Sequence, residues 1–387
     1  MTHSMKTPPG AAAPDYDSTL FVSLELSRKH WKTAAQIPGV EKHSLYGCEA
    51  DPQALLALLE KMKARAGRAG KTVVRVVLVH ESGRDGFWLA RWLIARGVEV
   101  HVMHAASLPV DRRMRRVKTD AIDAECLLRA LLAFLRGEPR VCAMAPIPTP
   151  QDEDARRAHR EREQLIEERK RLTNQIGAVL AMLGVADFEP LRRGARERLA
   201  GLRQPDGSAL PRHARAALER MLERLDCARR QIATLEKERD EVLKKQTPAD
   251  APQAMIRALA RLVGVGAQSA SLLTREAFVR DFANRRALGQ YAGLAGTPHQ
   301  SGGSRREKGV SKAGNARLRE AMIELAWLWL RHQPKSALTL WFRKRVGDAE
   351  GGVRKTMIVA LARKLLVALW KLARLGEAPR GATMKAR

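Results

Sequence analysis

Apolar positions set the first divisions of the chain. Residues 19 to 26, TLFVSLEL, alternate with the two-residue rhythm of a strand. Phe21, Ser23 and Glu25 fall on one face, and Val22, Leu24 and Leu26 on the other. A second extended segment is predicted over 33 to 37. Helical spacing appears within 52 to 66, where Leu55, Leu58, Leu59 and Met62 share a side. The run VVRVVLV at 73 to 79 reads as a buried strand. A helix over 86 to 96, a short strand over 98 to 102 and a helix over 120 to 135 follow. Gly137 stands where that last helix would be capped. Alternating strand and helix predict an α/β domain over 18 to 140, behind a loose tail over 1 to 17.

The segment VCAMAPIPTP, 141 to 150, has three prolines in its last five residues and predicts a linker. Beyond it, over 151 to 248, the texture is charged helix. Leu165, Leu172, Ile176, Val179 and Leu183 form one stripe. Leu218, Met221, Leu225, Ala228, Ile232, Leu235 and Val242 form another, with alternating three- and four-residue steps. An antiparallel helical hairpin is the simplest solution, and pairing with another subunit is the alternative. A breaker at 247 to 253 opens the last domain, 249 to 377. There Gly264-Val265-Gly266 sits between two helical segments in the pattern of a helix-hairpin-helix. A loop rich in Gly, Ser, Arg and Lys is expected over 296 to 315. Apolar helices near 316 to 331 and 353 to 373 complete a mostly helical domain, and 378 to 387 is a tail whose final GATMKAR is expected to fray. The fold class is therefore α/β plus α.

Charge narrows the function. In 387 residues, 70 Lys and Arg stand against 42 Asp and Glu, a net +28. Such an excess favours a polyanionic partner, nucleic acid first. Aromatic residues make up only 4%, so the cores rest on aliphatic side chains. No run approaches ~18 apolar residues, which argues against a membrane span. Cys48, Cys126, Cys142 and Cys227 lie too far apart for zinc spacing and read as small buried thiols in a reducing, cytoplasmic setting.

Candidate chemistry gathers in two places. In VKTDAIDAE, Asp120 and Asp123 are three apart at a helix start, so their carboxylates share a side. The alternative is a capping Asp120 and a solvated Asp123. Glu25 lies inside an apolar strand and Glu81 directly follows one. Acids converging at the carboxyl ends of strands would suit Mg²⁺ or Mn²⁺ and phosphoryl chemistry. Arg112, Arg113, Arg115, Arg116 and Lys118 lie beside them in sequence, as phosphate contacts. The second place is HQSGGSRREKGVSKAGNARLR, where Ser301 and Ser304 sit among Arg305, Arg306, Lys308, Lys312, Arg317 and Arg319. Composition alone leaves Ser301 between a nucleophile and a hydrogen-bond donor to phosphate.

The ordered set LFVSLELS, VLVHESG, KTDAIDAE, GVGAQSASLL, YAGLAG and QSGGSRREKGVSKAGNARLR resembles the DEDD transposases of bacterial insertion sequences. This is the family numbered one hundred and ten, also called bridge-RNA-guided recombinases, and the likeness runs from about residue 19 to 375. The resemblance implies a RuvC-like domain of RNase H type, a coiled-coil section and a C-terminal transposase domain. It places the four metal-binding acids on Glu25, Glu81, Asp120 and Asp123, and the nucleophile on Ser301, with Ser304 the weaker choice. The family's first acid is usually Asp; here it is Glu25, one methylene longer. Implied too are Mg²⁺ (or Mn²⁺), donor and target DNA, an element-encoded bridge RNA, and a dimer or tetramer in which acids and serine come from different subunits. A cytoplasmic, nucleoid-associated protein is expected. Competing readings are a RuvC-like junction endonuclease using water, and a non-catalytic scaffold.

Overall fold

A computed structural model describes residues 14–387, except 84–85, 105–106, 108–119, 139–140, 245–249, 302–303, 311–313, 348–350 and 386–387; over 297–308 it describes the backbone alone. The chain forms two compact units, Met1–Gln151 and Asp152–Arg387. The helical section and the last domain, read from sequence as separate parts, thus belong to one unit.

The first unit is built on β1 (Thr19–Glu25), β2 (His30–Gln36), β3 (Ser44–Glu49), β4 (Arg75–Ser82) and β5 (Glu99–His104), in the order β3-β2-β1-β4-β5. β2 runs antiparallel to both β1 and β3, whereas β1, β4 and β5 are parallel. This mixed sheet fits the RNase H-type domain expected. The alternation read from the sequence decides what each face buries. Leu20, Val22, Leu24, Leu78 and Val100 pack with α1 (Pro52–Arg68) and α2 (Trp88–Ile94). Phe21, Val77, Val79 and Met103 pack with Ala124, Leu127, Leu128 and Leu131 of α3 (Asp120–Leu135). Asp51 caps α1 by accepting a bond from the Ala54 amide at 2.7 Å, and Pro52 begins the helix where its missing N–H costs nothing. Gly137, at φ 78°, ends α3, with the Glu138 amide reaching back to Ala133 O at 3.1 Å.

Two features of this unit lie outside the sequence reading. β3 was not foreseen, because SLYGCE is half-exposed and interrupted by glycine. The proline-rich segment is more than a linker. Met144 bridges Met103, the Ala145 amide donates to Val102 O at 2.6 Å, and Ala145 is buried. Its apolar residues cover the sheet, which prolines permit at an edge.

The second unit opens with the short α4 (Pro150–Asp154), whose first two residues belong to the first unit. It continues through α5 (Arg157–Met182), α6 (Ala195–Ala200) and α7 (Arg212–Lys244). Leu165 packs with Ala228 and Ile232, while Leu172, Ile176 and Leu180 pack with Leu218, Leu222 and Leu225. That reversed order makes α5 and α7 antiparallel neighbours within one chain. Leu222 is buried where the sequence stripe had Met221, and Val242 is 40% exposed. The rest comprises α8 (Ala251–Ala260), α9 (Ala267–Leu273), a π-helical turn (Thr274–Phe278), α10 (Arg285–Tyr291), β6 (Gly296–Ser301), β7 (Ser304–Val310), α11 (Ala316–His332), α12 (Ala337–Val346) and α13 (Gly352–Leu375). Their core centres on Trp329, Phe278, Met322 and Leu365. Gly264, at φ 83°, passes so close to His332 that a Cβ would lie 2.8 Å from that side chain.

The C-terminal tail is docked rather than frayed. Thr383 O accepts from the Val263 amide at 3.1 Å, Gln333 Nε2 donates to Thr383 O at 2.9 Å, and the Lys385 amide donates to Arg261 O at 2.7 Å. Nor are the cysteines fully buried: three are half-buried and Cys227 is exposed. Among the described residues, no helix is long and apolar enough to cross a membrane.

Candidate active site

The parallel register of β1 and β4 pairs Ser23 with Val79 and Leu24 with His80. One step further along both strands lie Glu25 and Glu81. Period two carries Glu25 onto the face of Phe21 and Ser23, and Glu81 onto the face of Val77 and Val79. That is the face covered by α3. His80 is buried at the alternate position, as the strand rhythm predicts.

A side-chain bond fixes the first turn of α3 over this corner. Ser23 Oγ, two residues before Glu25, donates to the carbonyl of Ala124, the residue after Asp123, at 2.5 Å. Asp120 and Asp123 occupy the first turn of α3, where the helix dipole favours negative charge. The backbone therefore sets Glu25 and Glu81 side by side at the carboxyl end of β1 and β4, and α3, whose first turn carries Asp120 and Asp123, is bonded to β1 next to them. Asp120 is exposed, and Glu25, Glu81 and Asp123 are half-buried. Among the described residues, no three His, Cys, Asp or Glu side chains stand close enough to hold a metal ion. The donor chemistry, four carboxylates, is nevertheless that of a hard divalent cation. The cluster Arg112, Arg113, Arg115, Arg116 and Lys118 lies outside the described residues.

The opposite end of the same strands is organised differently. Glu99, at the start of β5, lies 2.6 Å from Arg75 Nη2 and 2.9 Å from His101 Nε2. The hydrogen bond to His101 chiefly, and the Arg75 guanidinium, hold its carboxyl down to about 2 despite partial burial.

In the second unit, the expected loop over 296 to 315 contains a β-hairpin. Gln300 pairs with Arg305 and Ser301 with Ser304, so both serines stand at its closed end, flanking Gly302 and Gly303. Arg305, Arg306 and Lys308 lie on β7; Lys312 falls outside the described residues. Arg317 does not present an unpaired cation: its guanidinium is ion-paired with Glu163 of α5.

The base of the hairpin is tied to a buried carboxylate that sequence reasoning missed. Glu276, in the π-helical turn, is 1% exposed. Its Oε1 lies 2.9 Å from both His159 Nε2 and Arg160 Nε, and its Oε2 accepts from Arg160 Nη2 at 3.1 Å and from Asn315 Nδ2 at 3.2 Å. Burial pushes this carboxyl up, but the bonds from His159 and Arg160 and the Arg160 charge outweigh it and hold it far below the usual range. Tyr291 OH donates to Glu276 O at 3.0 Å, and the Asn315 amide donates to Tyr291 O at 2.7 Å. Tyr291 precedes β6 and Asn315 follows β7, so the network closes the hairpin's base. The one signal in sequence was an acid inside the apolar run LLTREAF.

Comparison with known proteins identifies the family. A family model described as "Transposase IS116/IS110/IS902 family" matches residues 256–340, which hold Ser301 and Glu276. Another, of the DEDD type and described as "Transposase", matches 27–184, which hold Glu81, Asp120 and Asp123 but begin just after Glu25. A Sinorhizobium fredii protein named "Putative transposase y4rJ" is 49% identical over 95% of this chain and 94% of its own length. The chain belongs to the IS110 family of DEDD transposases. The Yersinia enterocolitica "Transposase for insertion sequence element IS1328" is 27% identical over 76% of this chain and 82% of its own. As an IS110-family transposase the protein is an enzyme acting on DNA. The family implies a divalent metal, and the four carboxylates fit one by donor type.

Proposed function

We propose that this transposase exchanges DNA strands through a serine–DNA intermediate, with Glu25, Glu81, Asp120 and Asp123 as the metal-holding acids and Ser301 as nucleophile. The observation that carries the reading is the shared strand end of Glu25 and Glu81 with the α3 turn of Asp120 and Asp123 bonded across it. A Mg²⁺ or Mn²⁺ ion held by these acids would supply charge neutralisation at the phosphoryl centre.

The remaining chemistry falls to the chain's own groups. Ser301 Oγ loses its proton and bonds to the DNA phosphorus, and the bond to the displaced sugar oxygen breaks, that oxygen taking up a proton. A hydroxyl of the second strand then attacks the phosphoserine, and Ser301 is released. Each step makes and breaks one phosphate ester, so no external energy source is required. Ser301 at the closed end of the hairpin, with Arg305, Arg306 and Lys308 on the paired strand, supports a phosphate-binding role. Net charge +28 and few aromatic residues suit a protein that grips backbone while an element-encoded RNA reads sequence by pairing. A homo-oligomer is part of the same proposal.

The test is denaturing electrophoresis after incubation with donor DNA, target DNA, the element's RNA and Mg²⁺. A covalent protein–DNA band that disappears in Ser301→Ala is expected. Cleavage that persists in that variant assigns the attack to water and overturns the serine.

A further inference from the structure

A second feature of the acid-bearing strand ends is a cavity of about 350 Å³. It is walled by Leu26 and Arg28, which follow Glu25, by Trp31 and Ala50, and by Trp88 and Leu89, which come soon after Glu81. Leu26, Trp31, Ala50 and Leu89 belong to the core layer under α1 and α2, the face of the sheet opposite α3. The same two chain segments thus carry acids toward one face and an aromatic recess toward the other.

We propose that this recess receives one unpaired base of the DNA strand that passes the acid edge. Its volume is at the small end of the range for ligand sites, about 300–1,000 Å³, which suits a single base rather than a peptide or a duplex. Two of the chain's seven tryptophans line it, in a protein whose aromatic share is 4%. Their roles differ. Trp31 is 4% exposed and locked, its indole N–H donating to Ser27 O at 3.2 Å, so it forms a fixed wall. Trp88 is 43% exposed, a large apolar surface left to solvent at the rim. A base stacked there would cover it. Arg28 is exposed on the same rim and, among the described residues, no acid lines the recess, so the entrance suits the phosphate that accompanies the base. The proposal rests on the reading of the acid edge as the place where DNA passes, but it stands or falls separately from Ser301, and its test needs no metal.

The experiment uses the full-length protein, without metal, and fluorescence anisotropy at one fixed salt concentration. The probes are a short single-stranded DNA, the same strand as duplex, the same sequence as RNA, and a wholly abasic DNA strand. Trp88→Ala is expected to weaken single-stranded DNA binding roughly 5- to 150-fold, the size of one base–aromatic stack. Duplex and abasic strand should change less than twofold. Ala50→Leu, which fills the recess and leaves Trp88 in place, should reproduce the loss, and Trp88→Phe should restore most of the binding. In the wild type, 2-aminopurine placed in the single strand should be quenched, and less so in Trp88→Ala. Equal affinity of wild type and both recess variants for single-stranded DNA, or equal weakening of all four probes, overturns the proposal. A loss on Trp88→Ala confined to RNA overturns the choice of DNA.

Discussion

The acid edge of the first unit and the serine hairpin of the second are held by different physics. At the acid edge, position comes from repetition. Strand period, parallel register and aliphatic layers on both faces leave Glu25 and Glu81 one place for their backbone, and one hydroxyl, Ser23, fixes α3 over them. At the hairpin, the two strands, GTPHQS and SRREKGV, have little apolar content of their own. Their base is closed instead by Glu276, Tyr291 and Asn315, with His159 and Arg160 completing the charge balance. The first arrangement tolerates loss of a polar group because the core remains. The second concentrates its dependence on one buried carboxylate.

That contrast can be broken experimentally, and the largest effect belongs to the acid edge. Asp123→Asn or Glu81→Gln should cut strand cleavage on the order of 10³-fold or more, as loss of a group in a catalytic set does. Half-buried at the end of the packed layers, neither change should lower Tm by more than a few degrees. A large fall in Tm with cleavage intact would make these acids structural and reverse the comparison.

Glu276 should show the opposite profile. Glu276→Ala leaves Arg160 and His159 without their carboxylate and should cost about 3–5 kcal/mol in denaturant unfolding of the second unit. Its carboxyl is lower in the folded state than in the unfolded chain, so its contribution is full above the unfolded value near 4.3 and is lost as pH falls below it. The wild type should therefore lose stability on acidification, and Glu276→Gln should lose less over the same range. An unchanged acid slope in Glu276→Gln would show that the carboxylate is not held as its contacts indicate.

Smaller effects separate backbone from side chain. Gly314, at φ 113°, has room for no Cβ: one would lie 2.7 Å from both Gly293 N and Tyr291 O. Gly314→Ala should cost roughly 2–3 kcal/mol by strain and shift hydrogen exchange at the hairpin's base. Ser23→Ala removes the buried bond to Ala124 O, with the longer contacts to Ala34 O at 3.3 Å and from the Ala34 amide at 3.4 Å, and should cost about 1 kcal/mol in thermal or denaturant unfolding. If Ser23→Ala proved the costlier of the two, the Ser23 bond would carry the fold of the first unit as well as orient α3, and the packed layers would not be what makes that unit tolerant.

What the sequence revealed follows the same division. Aliphatic periodicity placed β1, β4, β5 and α3, and with them the four acids, because burial writes its period directly into residue order. The resemblance then attached roles to those acids and to Ser301. The hairpin was read as a loop because SGGSRREKG carries no alternation of apolar residues. Glu276 was passed over because its partners at 159, 160 and 315 are distant in the chain and leave no local period. The docked tail was hidden for a related reason: Thr383 and Lys385 are held through backbone groups, to which composition is blind.

The most direct measurement is peptide mapping by mass spectrometry of the protein–DNA adduct formed with Mg²⁺, donor DNA, target DNA and the element's RNA. The expected result is a nucleotide phosphate on Ser301, absent when Asp123 is replaced by Asn. Strand exchange with no adduct, or an adduct on Ser304 with Ser301 unmodified, would contradict it.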